Sequence, residues 1–284
     1  MKNATILTVI GADCPNDTLL PVADSARAHN LHLAYLAVGT IPRFPNYGVG
    51  MLPYGTPIVP DNWQESVQQV NTDLKAKIDE IEDMLTKEEL SGDVTSAYAE
   101  PPGLAELVAW RARVCDLCFI CNGLRSDPLS FKNVLHGLLF DSASPVVIND
   151  VAGVKALSAK NILIAWNTSL PAARAVKQAL PLLKQAKTVT IACFDPVMSE
   201  MTDGENPGSD VGKWLTHHGC NVTVEQHPSG GKEISACILE RAEQIGADLV
   251  VAGAYGHSRL RENLFGGTTA SLAEQTDVAV LLAH

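Results

Sequence analysis

The chain has 284 residues, of which 46% are hydrophobic, 19% charged and only 5% aromatic. That balance excludes a disordered chain, a collagen-like repeat and a disulfide scaffold, and at about 150 residues per domain the length suits two domains. A formal charge of −11 with no visible basic patch argues against a nucleic-acid surface, which would need clustered Lys and Arg. No apolar run approaches the ~18 residues of a membrane span.

In chain order, the first apolar run is residues 5–10, ending at Gly11-Ala12-Asp13. It is too short for the core of an export signal and reads as a buried first strand. Residues 19–28 read as a helix and 31–38 as a second strand. Residues 39–60, rich in Pro, Gly and aromatics such as Phe44, Tyr47 and Tyr54, have no periodicity; they form a long loop, either a functional lid or a mobile insertion. From residue 67 to 90, Val67, Val70, Leu74, Ile78, Ile81 and Leu85 recur at three- and four-residue spacing, which predicts an amphipathic helix. The apolar Leu117-Cys118-Phe119-Ile120 follows, and Pro145-Val146-Val147-Ile148 closes this half as a short strand.

The same order then returns. Asn161-Ile162-Leu163-Ile164-Ala165-Trp166 repeats the first strand, residues 171–184 the first helix and residues 188–194 the second strand. Residues 234–245 form an amphipathic helix, Leu249-Val250-Val251-Ala252 a strand, 270–275 a helix, and Ala279-Val280-Leu281-Leu282 the closing strand. Asp116 and Asp248 are 132 residues apart, and Pro145 and Ala279 are 134 apart. That near-constant offset indicates one domain written twice, 1–152 and 153–284, joined near a small polar link at 150–159. Within each half, short continuous apolar runs alternate with amphipathic helices, which implies a parallel sheet covered on both faces.

The strand at 249–252 runs into Gly253-Ala254-Tyr255-Gly256-His257 and on to Gly266-Gly267-Thr268-Thr269. A glycine-rich connection from strand to helix can bring bare backbone N–H groups onto a phosphate, and glycine keeps the approach clear of side chains. The spacing Gly253-x2-Gly256-x9-Gly266, the Thr268-Thr269 pair and the closing strand together resemble the signature of the universal stress protein family. The opening Ile162-Leu163-Ile164-Ala165-Trp166-Asn167-Thr168-Ser169 is similar to that family's first strand. The resemblance extends over nearly the whole chain as two tandem domains.

The resemblance implies two tandem Rossmann-like α/β domains, each a five-stranded parallel sheet with helices on both faces, packed through their closing strands as an intramolecular pseudo-dimer. A further homodimer stays open. It also implies a role in stress response and ATP or a related adenine nucleotide, with magnesium, at the carboxyl ends of the second half's strands. The site residues so implied are Ala165, Trp166, Asn167, Cys193, Gly253, Gly256, Gly266, Gly267, Thr268 and Thr269. Cys193 matches a position whose backbone meets adenine, and Thr269 a nearby hydroxyl. His257 either contacts phosphate or is an idle loop residue.

Two positions depart from the family pattern. Asn167 stands where a carboxylate is usual, and Gly267 where Ser or Thr is usual. The first half departs further, because its loop at 121–133 keeps one glycine, Gly123, and is interrupted by Pro128, Lys132 and Asn133. One competent site in the second half is therefore expected, beside a degenerate partner in the first.

Other constellations point to bland explanations. Cys115-x2-Cys118-x2-Cys121 lacks a fourth cysteine at ferredoxin spacing, and along a strand its members would face opposite ways. His217, Cys220 and His227, with His218 nearby, match no structural zinc spacing. Ser229-Gly230-Gly231-Lys232 resembles the phosphate loop of ATP pyrophosphatases but follows the wrong strand, so Ser229 or a neighbour is expected to cap a helix. Neither a G-x-x-x-x-G-K-[ST] loop nor a G-x-S-x-G elbow exists. The seven cysteines, an odd number set mostly in apolar runs, read as reduced thiols of a cytoplasmic protein. The expectation is a cytoplasmic regulator with no catalytic residues and no metal site of its own. Slow ATP hydrolysis, and an interaction protein that has lost its nucleotide site, stay open as alternatives.

Overall fold

A computed structural model describes residues 1–43, 61–150, 154–199, 203–254 and 267–284. The described residues form ten β-strands and nine α-helices that alternate along the chain. In the first half these are β1 (Thr5–Gly11), α1 (Val22–His29), β2 (His32–Thr40), α2 (Asp61–Lys87), β3 (Gly92–Ala99), α3 (Pro101–Ala112), β4 (Leu117–Ile120), α4 (Pro128–Phe140) and β5 (Val146–Ile148). A short helix, α5 (Val154–Ser158), leads to the second half. That half comprises β6 (Asn161–Ala165), α6 (Leu170–Leu183), β7 (Thr188–Phe194), α7 (Ser209–His217), β8 (Val222–His227), α8 (Ile234–Gln244), β9 (Leu249–Gly253), α9 (Gly267–Glu274) and β10 (Ala279–Ala283).

All ten strands lie in one sheet, in the order β3-β2-β1-β4-β5-β10-β9-β6-β7-β8. Each half thus repeats the same internal order, with its first strand central and its pairings parallel. The two sheets expected from the sequence are merged. β5 and β10 pair antiparallel, Leu281 opposite Val147 and Val280 opposite Ile148. The physical reason is burial: every residue of β5 and β10 is buried, and an apolar strand left as an edge would expose unpaired backbone.

Alternation along the strands splits the interior into two layers. Ile6, Tyr35, Phe119, Val147, Ile164 and Leu281 belong to one, and Leu7, Leu36, Cys118, Val146, Leu163 and Val280 to the other. Both layers run through the β5–β10 junction. The helices divide between them: α1 and α6 contribute Val22, Ala26, Ala175 and Val176 to the first layer, while α4 and α9 contribute Val134, Leu135, Leu272 and Ala273 to the second. The connection after the first strand of each half therefore goes to one face of the sheet, and the connection after the fourth goes to the other. That divergence opens a crevice at the carboxyl ends of the strands, where folds of this type place ligands.

Several boundaries differ from expectation, among them α1, which starts at Val22 rather than at residue 19, and α9, which starts at Gly267 rather than at 270. α2 starts at Asp61, ahead of Val67, because half-buried Trp63, four residues before Val67, extends the apolar stripe among otherwise polar residues. The expected long loop at 121–133 is mostly ordered as a short 3-10 turn, Asn122–Ser126, followed by α4. Asp127 caps α4 by accepting N–H bonds from Leu129 and Ser130, and Pro128 sits in the first turn, where its missing N–H costs nothing. Finally, the link between the halves is not merely polar. Asp150 is buried and accepts the N–H groups of Lys155 and Ala156 at the start of α5.

Most of the expected loop at 39–60 lies outside the described residues. Around it, Thr5 and Asn161 are 156 residues apart, as are His32 and Thr188, whereas Leu117 and Leu249 are 132 apart. The difference falls between the second and third strands, where the first half has a 27-residue helix and the second a 9-residue one.

Candidate functional site

The second half's crevice is built from the carboxyl ends of β6, β7 and β9. Ala165 ends β6, opposite Ala192 on one side and Ala252 on the other. Trp166 extends the ladder by donating its N–H to Ala192 at 2.9 Å, and its ring packs partly buried against the core. The chain then turns outward, leaving Asn167 exposed. Its Oδ1 accepts the Ser169 hydroxyl at 2.6 Å, and Ser169 in turn caps α6 by accepting the Ala172 N–H.

Cys193, next to last in β7, is buried. Burial, and then the charge of Asp203, push its thiol up to about 11. Its Sγ lies against Gly208, where a Cβ would come within 3.0 Å. The side chain is thus a packing group, and only the backbone of this residue could meet a ligand.

Gly253 ends β9 against the first turn of α6. A Cβ there would lie 2.4 Å from the Ala172 nitrogen and 2.7 Å from the Pro171 carbonyl carbon. Glycine at this position is a condition of helix–strand packing before any ligand is considered. On the far side of the crevice, Gly267 opens α9 with nothing within 4 Å of where its Cβ would be. Thr268 is half-buried and Thr269 is buried in the same turn. Gly256, His257 and Gly266 lie outside the described residues.

Two carboxylates escaped the sequence reading. Asp203 accepts the Thr168 N–H at 3.3 Å and its hydroxyl at 2.6 Å through one oxygen, and the Val197 N–H at 2.8 Å through the other. Burial works against its charge, but these bonds outweigh burial and hold it below the usual carboxylate range. Asp195, just past β7 with φ +47°, accepts the Ser229 N–H at 2.8 Å, and Ser229 holds its carboxyl low. Both lie in turns without periodicity, so no sequence signal could have selected them.

Ser229 does not cap α8 as expected. Glu233 holds the N-cap position and gives no side-chain bond, while Ser229 Oγ accepts the Gly231 N–H at 3.2 Å. The turn folds on itself and ties to Asp195, and Lys232 pairs with Glu240.

The other constellations come apart in space. Cys115 precedes β4 and Cys121 follows it, so only Cys118 is in the strand; Cys118 and Cys121 pack into opposite layers. Cys220 lies just before β8 and His227 ends it, stacked on Phe194 at 5.6 Å and bonded to Glu225. Among the described residues, no group of three or more His, Cys, Asp or Glu could hold a metal ion. No helix among them is long and apolar enough to cross a membrane.

A doubly wound half with order 3-2-1-4-5, repeated and joined edge to edge, defines an α/β protein with a crevice at the carboxyl ends of the strands. Residues 158–284 match the model of the universal stress protein family. That match lies in the second half of the chain. The fold likeness extends over the whole chain. A universal stress protein from Archaeoglobus fulgidus DSM 4304 is 16% identical with a TM-score of 0.60, covering 98% of this chain and 95% of that one. A structure from Pseudomonas aeruginosa UCBPP-PA14 is 18% identical with a TM-score of 0.60, covering 99% and 93%. No curated protein matches the chain.

Proposed function

We propose that the second half binds ATP or a related adenine nucleotide at the carboxyl edge of β6, β7 and β9, and that the protein acts in stress response by regulation or interaction rather than catalysis. The observation that carries this reading is positional. The glycine series Gly253-x2-Gly256-x9-Gly266 leaves the sheet at β9, where connections to opposite faces open the crevice. Adenine would lie near the backbone at Cys193, with Ala165, Trp166 and Asn167 beside it. The phosphates would meet the loop's backbone N–H groups and the start of α9 at Gly267, Thr268 and Thr269, with His257 an additional donor.

The residues present fit a nucleotide held mainly through backbone. They offer little to magnesium, since Asn167 is uncharged and Asp203 is engaged by Thr168 and Val197. Magnesium would travel on the phosphates with its own waters. In the same reading, residues 1–152 and 153–284 are two domains of one fold forming a pseudo-dimer through β5 and β10, and the first has lost its glycine loop. Seven free cysteines among the described residues support a reducing, cytoplasmic setting.

Calorimetric titration of the full chain with ATP and magnesium tests the reading. Micromolar binding that is lost in Gly256→Val is expected. Binding that is absent, only millimolar, or indifferent to that substitution would leave the protein as an interaction partner without a nucleotide.

A further inference from the structure

The corresponding crevice of the first half holds two thiols. Cys14 lies in the turn after β1, its N–H donated to Gly11 at 3.2 Å, and Cys121 follows β4, its N–H donated to Val9 at 2.9 Å. Although 107 residues apart in sequence, their sulfurs are 2.9 Å apart. Both are almost fully buried, at 1% and 2% exposure. Cys121 stands 132 residues before Gly253, in the same place after the fourth strand, and Cys14 lies three residues past Gly11, the counterpart of Asn167. We propose that Cys14 and Cys121 form a redox site, a dithiol that a hydroperoxide converts to an intramolecular disulfide across the mouth of β1 and β4.

The surroundings favour chemistry at Cys14. A hydrogen bond from the Cys121 thiol brings Cys14 down to about 7, against the pull of burial, and the charge of Lys77 adds to it. Cys121 is shifted upward by the same bond and by burial, so it is the proton-bearing partner. Lys77, from α2, is only 4% exposed; its ammonium donates to Asn16 Oδ1 at 2.9 Å, two residues past Cys14, and to Glu80 Oε2 at 2.8 Å, which shares its charge. Asp13 in the same turn opposes the thiolate, and Tyr35 on β2 is a buried neutral neighbour. A thiolate beside a buried cation is the form that attacks a peroxide.

The steps balance. The Cys14 thiolate attacks one oxygen of the peroxide, the O–O bond breaks, and the departing hydroxide takes a proton from solvent to leave as water. Cys14 is then a sulfenic acid. The Cys121 sulfur attacks it, the S–S bond forms, and the departing hydroxide leaves as water with the Cys121 proton. Two thiols lose two electrons and one peroxide gains them. Burial limits the oxidant to a small molecule, and a thiol reductant reverses the bond.

The test uses the full chain, reduced, desalted and treated with hydrogen peroxide, then denatured, alkylated and digested for mass spectrometry. Of seven thiols, two fewer should alkylate. A Cys14–Cys121 linked peptide, lighter by two hydrogens and released by dithiothreitol, should account for them. The oxidation rate should rise as pH increases through about 7. Cys14→Ser and Cys121→Ser should each abolish the paired loss, and Cys118→Ala should retain it. Unchanged thiols, a bond between another pair, or Cys14 ending as a sulfinic acid would each overturn the proposal. The mapping in the unsubstituted chain decides by itself if a serine variant does not fold.

Discussion

Asp116 and Asp248 occupy the same place in the two halves. Each precedes the fourth strand of its half, donates its own N–H at 2.8 Å to the first strand's opening carbonyl, and turns its carboxylate back onto that strand's opening N–H groups. Asp116 accepts from Thr5 at 2.8 Å; Asp248 accepts from Lys160 at 2.8 Å and Asn161 at 2.9 Å. These N–H groups would otherwise lack a ladder partner. The repeated fold is thus accompanied by a repeated clamp at the amino end, opposite the crevice.

The clamps should not be worth the same. Asp248 serves two donors and is half-buried, whereas Asp116 serves one and is exposed. Asp248→Ala should cost about 1–2 kcal/mol and Asp116→Ala less than about 1 kcal/mol. Urea unfolding of the two variants checks this, and equal or reversed costs would count against the clamp.

Gly253 and Gly267 belong to one sequence signature but face different constraints. A methyl at Gly253 meets the backbone of Pro171 and Ala172, which cannot step aside without moving α6. Gly253→Ala should therefore destabilise the protein by about 1–3 kcal/mol. Gly267 has open space around it in the first turn of a helix. Gly267→Ala should be neutral or stabilising by up to about 1 kcal/mol. Thermal unfolding of both separates the packing glycine from one available to a ligand.

The repeat, the alternation and the closing strands were legible because continuous apolar runs such as Ile162-Leu163-Ile164 leave few alternatives to a buried strand. Position in the sheet was less so. Nothing in Val146-Val147-Ile148 states that its outer neighbour is Leu281, since an apolar strand fits any apolar partner. Polar turns were illegible for a related reason. Asp203 reaches Thr168, and Cys14 reaches Cys121, through loops whose paths leave no periodic mark. The 121–133 segment read as loop although Asp127-Pro128 is a helix start. Its capping signal is independent of the glycine pattern that the segment lacks.

Asp127 gives a pH-dependent case. Burial disfavours its charge, but hydrogen bonds from Ser130, Thr40 and the Ser130 and Leu129 N–H groups overcome this and lower its carboxyl below the ordinary value. A group lowered in the folded state contributes stability above its unfolded value and loses it as pH falls through the folded one. Asp127→Ala should cost about 1 kcal/mol at neutral pH. The gap between variant and parent should close as pH drops below about 4. Unfolding midpoints measured from pH 7 to pH 3 would reveal a constant gap if the cap acted without its charge.

The β5–β10 junction should make the halves unfold together. Val147 and Leu281 face each other with no exposure, and both apolar layers continue through them. Asn149, just past β5, adds a polar tie. Its Nδ2 donates to Leu272 and Val278 of the other half at 3.5 and 3.3 Å, and its Oδ1 accepts from Arg125. Opening the junction would expose both closing strands along their full length, so a state with one half folded keeps an apolar edge in water. Val147→Lys places an unpaired charge in that layer and should cost more than about 3 kcal/mol. Hydrogen–deuterium pulse labelling across a urea series would follow β4 and β9 separately. Both should lose protection at one urea concentration in the parent and at one lower concentration in the variant. Separate midpoints for β4 and β9 in the parent would mean that the shared sheet does not couple the halves.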